Sequence, residues 1–241
     1  MTDSRKHGHF VERELRTDTG TLYRYQVFVP SRKAGGEHPA LMLFLHGSGE
    51  RGTDNRKQVE VGLGPVIRER MDKFPAIVVF PQMHGKEQEL YRFSHVALAM
   101  LDQSQAEFGA DPKRVLLTGL SMGGYGSYEL ALMQPERFAA VVPICGGFDP
   151  PKAKEHERIA SLGGALSLDE AAHKMAHIPF WIFHGGQDDV VPPQKSREMV
   201  AALKRAGAQV HYTEFAEAEH NSWDSAYADA KLWPWLFAQH R

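Results

Sequence analysis

The chain has 241 residues, 42% hydrophobic, 24% charged and 10% aromatic, with 28 basic against 30 acidic side chains. A chain of this length buries roughly 70% of its unfolded surface without covalent staples, and the balance of charge argues against nucleic acid or an anionic membrane surface as partner. One cysteine, Cys145, rules out an intrachain disulfide and a thiolate metal cluster.

In chain order, residues 10–17 and 21–29 alternate apolar and polar and are joined at Asp18-Thr19-Gly20, a β-hairpin signal. Apolar runs follow at 41–45, 76–80, 115–117, 139–144 and 180–183. Runs this short and unbroken read as strands buried on both faces of a parallel sheet. A more alternating run at 210–215 reads as an edge strand. Helical patterns fall between the strands. They cover 65–71, 94–108 (stopped by Gly109), 122–134 (stopped before Pro135), 196–206 (stopped by Gly207) and 223–239. Pro234 predicts a kink or two pieces in the last of these. The expected fold is a single α/β domain over 1–241, three-layered, with a mostly parallel sheet, an N-terminal antiparallel hairpin and no large cap domain. No run approaches the ~18 apolar residues of a membrane span. The polar first ten residues lack a signal-peptide core, so a cytoplasmic location is expected, with secretion of a trimmed precursor as the alternative.

Two long loops, 47–64 and 145–168, follow the first and fourth parallel strands. Ligands of open parallel sheets bind outside the carboxyl ends of strands, so both loops border the expected site.

The chemistry centres on Gly119-Leu120-Ser121-Met122-Gly123, a G-x-S-x-G that ends one predicted strand and opens a predicted helix. That strand–turn–helix context presents a serine as a nucleophile. A serine hydroxyl needs a base, and the base needs a carboxylate to orient it. The chain order expected is serine, acid, histidine. After run 180–183 come Asp188 and Asp189, and after run 210–215 comes His220. For the oxyanion, the expected donors are the backbone N–H of Met122 and that of Ser48, in the glycine-dense His46-Gly47-Ser48-Gly49. Glu50, Arg51, Asp54 and Asn55 read as a polar network that fixes this loop. His46 and His184 read as side chains bonding loop backbone, and His173 and His177 as surface residues. Cys145 reads as a small buried residue, and the four tryptophans as packing residues. No cofactor and no metal site is expected.

From about residue 10 onward the chain resembles the α/β-hydrolases. The matching pieces are Leu45-His46-Gly47-Ser48-Gly49-Glu50-Arg51-Gly52-Thr53-Asp54-Asn55, residues 119–124, His184-Gly185 with Asp188 and Val191-Pro192, and His220 with Trp223. The combination is similar to the phospholipase/carboxylesterase, dienelactone hydrolase and prolyl oligopeptidase-type families. It is also similar to esterase domains related to polyhydroxybutyrate depolymerases and feruloyl esterases. In H-G-x-x-D of these families the aspartate is the triad acid, which selects Asp188 over Asp189. In their H-G-x the third residue donates to the oxyanion, which selects Ser48. The nucleophile here is Ser121 rather than the cysteine of dienelactone hydrolases, so a dienelactone substrate does not follow.

The function expected is a serine carboxylesterase acting on small-molecule esters with short acyl chains. The polar run Lys152–Arg158, in the segment able to cover the site, is a poor sheath for a long alkyl chain. The alternatives are a serine peptidase or an acyltransferase on the same triad, a feruloyl or polyhydroxyalkanoate-type esterase, and a non-catalytic binding protein. Prolyl oligopeptidase-type peptidases carry a large propeller for which 241 residues leave no room. A binding protein would be expected to have lost a triad member.

Overall fold

The structure is a computed structural model that describes residues 6–85, 90–148 and 166–241. The strands are β1 (His9–Arg16), β2 (Leu22–Val29), β3 (Ala40–Leu45), β4 (Ala76–Pro81), β5 (Val115–Leu120), β6 (Ala140–Ile144), β7 (Phe180–Gly185) and β8 (Val210–Phe215). They form one sheet in the order β1-β2-β4-β3-β5-β6-β7-β8. The hairpin β1–β2 is antiparallel and adds antiparallel to β4, while the remaining neighbours are all parallel. Every residue of β3 to β7 is buried, as unbroken apolar runs require, and β8 at the edge is largely half-exposed.

The helices are α1 (Arg32–Gly35), α2 (Leu63–Arg68), α3 (Leu90–Phe108), α4 (Met122–Met133), α5 (Leu168–Lys174), α6 (Gln194–Arg205), α7 (Trp223–Ala228) and α8 (Leu232–Phe237). Alternate strand residues serve two cores. Leu41, Leu43 and Leu45 face a cluster with Tyr128 of α4, Ala171 of α5 and Leu203 of α6, which α3 joins through Ala97 and Leu101. Met42 and Phe44 face the other cluster, with Ile67 of α2, Tyr227 of α7 and Leu236 of α8. The result is three layers.

Strand order places the site. From β3 the chain moves outward to β4, then crosses back to place β5 on the other side of β3. The order reverses between β3 and β5, so the loops leaving their carboxyl ends part and open a crevice. Those loops begin at His46 and at Ser121.

Several elements depart from expectation for local reasons. β5 runs on to Leu120 rather than stopping at 117, because buried Thr118 donates its hydroxyl to the Val142 carbonyl at 2.8 Å and meets the Tyr227 hydroxyl at 2.9 Å. The segment 223–239 is two helices, but the break falls at Asp229, not at Pro234. Pro234 lies in the first turn of α8, where an N–H has no intrahelical partner and a proline loses nothing. α5 is fixed by a capping box in which Ser167 and Glu170 satisfy each other's backbone N–H groups. Among the described residues no helix is long and apolar enough to cross a membrane.

Candidate active site

Ser121 sits at the junction of β5 and α4 with φ 53° and ψ −116°, a region that L-residues seldom occupy. Such a conformation costs on the order of 1–3 kcal/mol and persists only where its surroundings over-determine it. The surroundings are contacts at two glycines. A Cβ on Gly119 would lie 2.3 Å from the Gly123 carbonyl oxygen, and one on Gly123 would lie 2.0 Å from that of Leu45. The turn closes on itself and α4 starts hard against the end of β3, so neither position can carry a side chain. The Ser121 N–H is tied to the Ile144 carbonyl at 3.0 Å.

His220 lies on the loop after β8. Its Nε2 is 2.9 Å from Ser121 Oγ and its Nδ1 is 2.7 Å from Asp188 Oδ2. The carboxylate accepts only, so Nδ1 carries the proton and Nε2 is left to accept from the serine. Trp223 meets the imidazole edge-to-face with ring centroids 5.6 Å apart, which helps hold its plane.

Asp188 lies on the loop after β7 with its side chain fully buried. Its Oδ1 accepts the backbone N–H groups of Val190 and Val191 at 2.9 and 2.8 Å. Burial alone would push its pKa up. Hydrogen bonds from His184, His220 and Val191 outweigh it and hold the carboxyl far below its ordinary range. Asp189, next in sequence, is exposed. The fold thus brings Ser121, His220 and Asp188 into one hydrogen-bonded chain and leaves Asp189 outside it.

The loop after β3 turns at Gly47 into a single 3₁₀ turn, Ser48–Glu50. Met122 and Ser48 each begin a helical segment, where a backbone N–H has no carbonyl to reach within the helix. A Cβ placed on Gly47 would lie 3.7 Å from Ser121 Cβ, so this loop borders the nucleophile. His46 is more than a generic loop anchor. Its Nε2 accepts the Met83 N–H at 2.9 Å, so Nδ1 carries the proton and donates to the Gly47 carbonyl at 2.6 Å. In a trans peptide the N–H of Ser48 then points away from His46. Burial above all pushes the His46 pKa down to about 4, so the ring stays neutral.

Of the residues expected to form a network in this loop, Asp54, Asn55 and the Glu50 carbonyl do so, around residues the sequence did not single out. Asp54 Oδ1 accepts from the N–H groups of Arg56 and Lys57 at 2.7 and 3.0 Å. Asn55 takes a positive φ of 56°. Gln82, at the end of β4, accepts the Asn55 N–H at 2.7 Å and donates to the Glu50 carbonyl at 3.0 Å. Gln58 donates to Asn55 Oδ1 at 2.8 Å, and Gln26 of β2 donates to the Asn55 carbonyl. Glutamines carry no motif, so only their neighbours reveal them.

Cys145, directly after β6, is buried at a positive φ of 41°. Burial pushes its thiol up to about 12. The ligand atoms of Cys145, Asp188 and His220 lie within 4.8 Å of one another. The thiol is protonated and the carboxylate already committed, so this cluster is a poor metal ligand set. His173 lies in the last turn of α5 and is exposed. His177 lies beyond the helix, 3.1 Å from the Pro135 carbonyl. The charged run Lys152–Arg158 lies outside the described residues.

The profile of the prolyl oligopeptidase family matches residues 86–239. Among curated proteins, probable carboxylic ester hydrolase LipM of Mycobacterium tuberculosis is 28% identical over 155 residues, covering 52% of this chain and 36% of LipM. Esterase LipQ of the same organism is 29% identical over 153 residues with the same two shares. The chain therefore spans about a third of the length of these relatives. Among solved structures, a thermostable esterase superposes with TM-score 0.76 at 29% identity over 96% of this chain and 63% of that one. A ferulic acid esterase superposes with TM-score 0.71 at 15% identity over 96% and 98%, a likeness of fold.

Proposed function

The chain belongs to the prolyl oligopeptidase family, and on that premise we propose that it is a serine carboxylesterase that hydrolyses small carboxylic esters through an acyl-enzyme on Ser121. The observation that carries this reading is the unbroken sequence Asp188–His220–Ser121, at 2.7 and 2.9 Å, ending on a serine in a strained turn. The names of the curated relatives, both ester hydrolases, support it.

Ser121 Oγ attacks the ester carbonyl as His220 Nε2 takes its proton. Asp188 holds His220 in the Nδ1–H tautomer and stabilises the imidazolium. The N–H groups of Met122 and Ser48 receive the oxyanion, each contributing about 3–4 kcal/mol by analogy with a measured oxyanion-hole donor. His220 then protonates the leaving alcohol, and water, activated by the same imidazole, releases the acid. Short acyl chains, acetyl to butyryl, are the expected substrates. Amide hydrolysis on the same residues is the second reading, favoured by the peptidase family to which the profile belongs.

A nitrophenyl ester series from acetate to palmitate, run beside aminoacyl anilides, tests both. Ester turnover falling beyond butyrate is expected. Ser121→Ala should lose ~10⁴–10⁶ in kcat while remaining folded, and a fluorophosphonate should label Ser121 alone. Labelling elsewhere, or retained activity in the variant, would overturn the assignment. Anilide turnover exceeding ester turnover would favour the second reading.

A further inference from the structure

Asp188 stands between two imidazoles. Besides His220, the ring of His184, the fifth residue of β7, approaches the same carboxylate oxygen. His184 is completely buried. Its Nε2 is 2.9 Å from the Val191 carbonyl oxygen and 3.2 Å from Asp188 Oδ2. Neither of these oxygens can donate, so Nε2 carries the proton and shares it between them. On the far side, Nδ1 is 2.7 Å from the hydroxyl of buried Ser196 on α6, which donates to it and fixes the tautomer.

We propose that His184 is a positioning residue for the reaction, acting through Asp188: it spends part of the Oδ2 charge and so sets how strongly Asp188 holds the proton on His220. This rests on the roles given above to Ser121, His220 and Asp188. The physical reason is that both imidazoles donate to one oxygen. A second donor weakens the first bond, because the oxygen's charge is divided. Without His184, Oδ2 would bind the His220 imidazolium more tightly, and His220 would give up its proton only at higher pH. The carboxylate would also lose one of the groups that fix its plane, keeping only the Val190 and Val191 N–H groups on Oδ1 and His220 on Oδ2.

The other ionisable groups near this pair leave it as the responsive element. Cys145, at the end of β6, is neutral because burial holds its thiol up at about 12. Glu214 of β8, in register with His184, is engaged by Arg197 of α6 and by the Tyr212 hydroxyl. Glu217 and Glu219, on the His220 loop, are exposed.

The test compares His184→Leu, which keeps the volume and removes the donor, with His184→Gln, which keeps an N–H near the Nε2 position. Ester kcat/KM is measured from pH 5 to 9 for parent and variants, each normalised to the fraction of Ser121 that a fluorophosphonate titrates. H184L is expected to move the acidic limb upward by about half to one pH unit, with a lower plateau. H184Q is expected to restore the position of the limb. An H184L limb that superimposes on the parent's after normalisation would overturn the proposal and leave His184 as a brace for the Val191 loop. If H184L does not fold, spectra of the ¹³C,¹⁵N-labelled parent at pH 8 decide. A His184 Nε2–H coupled through its hydrogen bond to the Asp188 carboxylate carbon supports the proposal, and an Nδ1–H tautomer, or an Nε2–H coupled to the Val191 carbonyl carbon alone, refutes it. A parent that neither hydrolyses esters nor labels at Ser121 would instead sink the reading on which this rests.

Discussion

At the scale of the residue, the sharpest contrast is between Asp188 and Asp189. They are adjacent, chemically identical and on the same loop, yet one side chain is wholly buried and the other is exposed. Asp188 accepts from two backbone N–H groups and two imidazoles, and those bonds keep it ionised despite its burial. An amide at this position would present an NH₂ or a weaker acceptor to His220 and favour the wrong tautomer. Asp188→Asn is therefore expected to lower kcat by up to ~10⁴, whereas Asp189→Asn should stay within about twofold, since it alters a solvated side chain. Steady-state kinetics on the two purified variants check this, and equal losses would mean that the carboxylate serving His220 has been misassigned. Residue types and spacing left the two aspartates indistinguishable, and only the family resemblance separated them. The physical discriminator, the turn by which the N–H groups of Val190 and Val191 reach back to Oδ1, is a property of the folded loop. His184 was hidden for the same reason. Its strand position is visible in the sequence, but its second partner, Asp188, is set by how the β7 loop doubles back.

At the scale of the element, the turn from β5 into α4 does two jobs through one close contact. The absent side chain at Gly123 lets the helix start lie against the Leu45 and His46 carbonyls, which brings Ser121 beside the His46–Ser48 loop. A methyl group there would meet backbone, not a flexible side chain that could yield. Gly123→Ala is expected to push β3 and α4 apart, with an overpacking cost of about 1–3 kcal/mol, equivalent to roughly 2–12 °C in Tm for a chain of this size. Displacing the nucleophile from its oxyanion donors should lower kcat by ~10²-fold even in the folded fraction. Gly49→Ala, where a Cβ would meet nothing within 4 Å, is the control and should leave Tm nearly unchanged. Melting curves and kinetics normalised to titrated Ser121 separate the two effects. Most of this architecture was legible because buried parallel strands declare themselves as unbroken apolar runs and glycine marks close approach. What escaped was polar and internally satisfied. Thr118 cut short the apparent length of β5, and Gln26, Gln58 and Gln82 organise the loop after β3 without any pattern of their own.

At the scale of the whole molecule, stability should depend on acid in two separable stages, because two bonded groups resist protonation in different pH windows. His46 is neutral in the fold, with its pKa pushed down to about 4 by burial, whereas in the unfolded chain it titrates near ~6.5. Between these values the unfolded state takes up a proton that the folded state refuses, so stability must fall as pH drops from about 6.5 towards 4. Glu214 behaves as a carboxylate with a depressed pKa. The Arg197 guanidinium first, then the Tyr212 hydroxyl, pull it down to about 2 from an ordinary 4.5. Its contribution is complete above about 4.5 and is lost as pH falls towards 2. The first stage reports the clamp that orients the Gly47–Ser48 peptide, and the second reports the edge of the sheet, where β8 is tied to α6. The expected outcome is a Tm that declines in both windows. His46→Asn should reduce the slope of the upper window and Glu214→Gln that of the lower one, where Asp188, also held below its ordinary range, keeps a share, each leaving the other slope in place. Differential scanning calorimetry from pH 7.5 to 2.5 checks this. A parent Tm that is level between pH 6.5 and 4.5 would show that His46 accepts a proton without loss. The Met83–His46–Gly47 chain would then not be what holds the loop after β3 against the nucleophile.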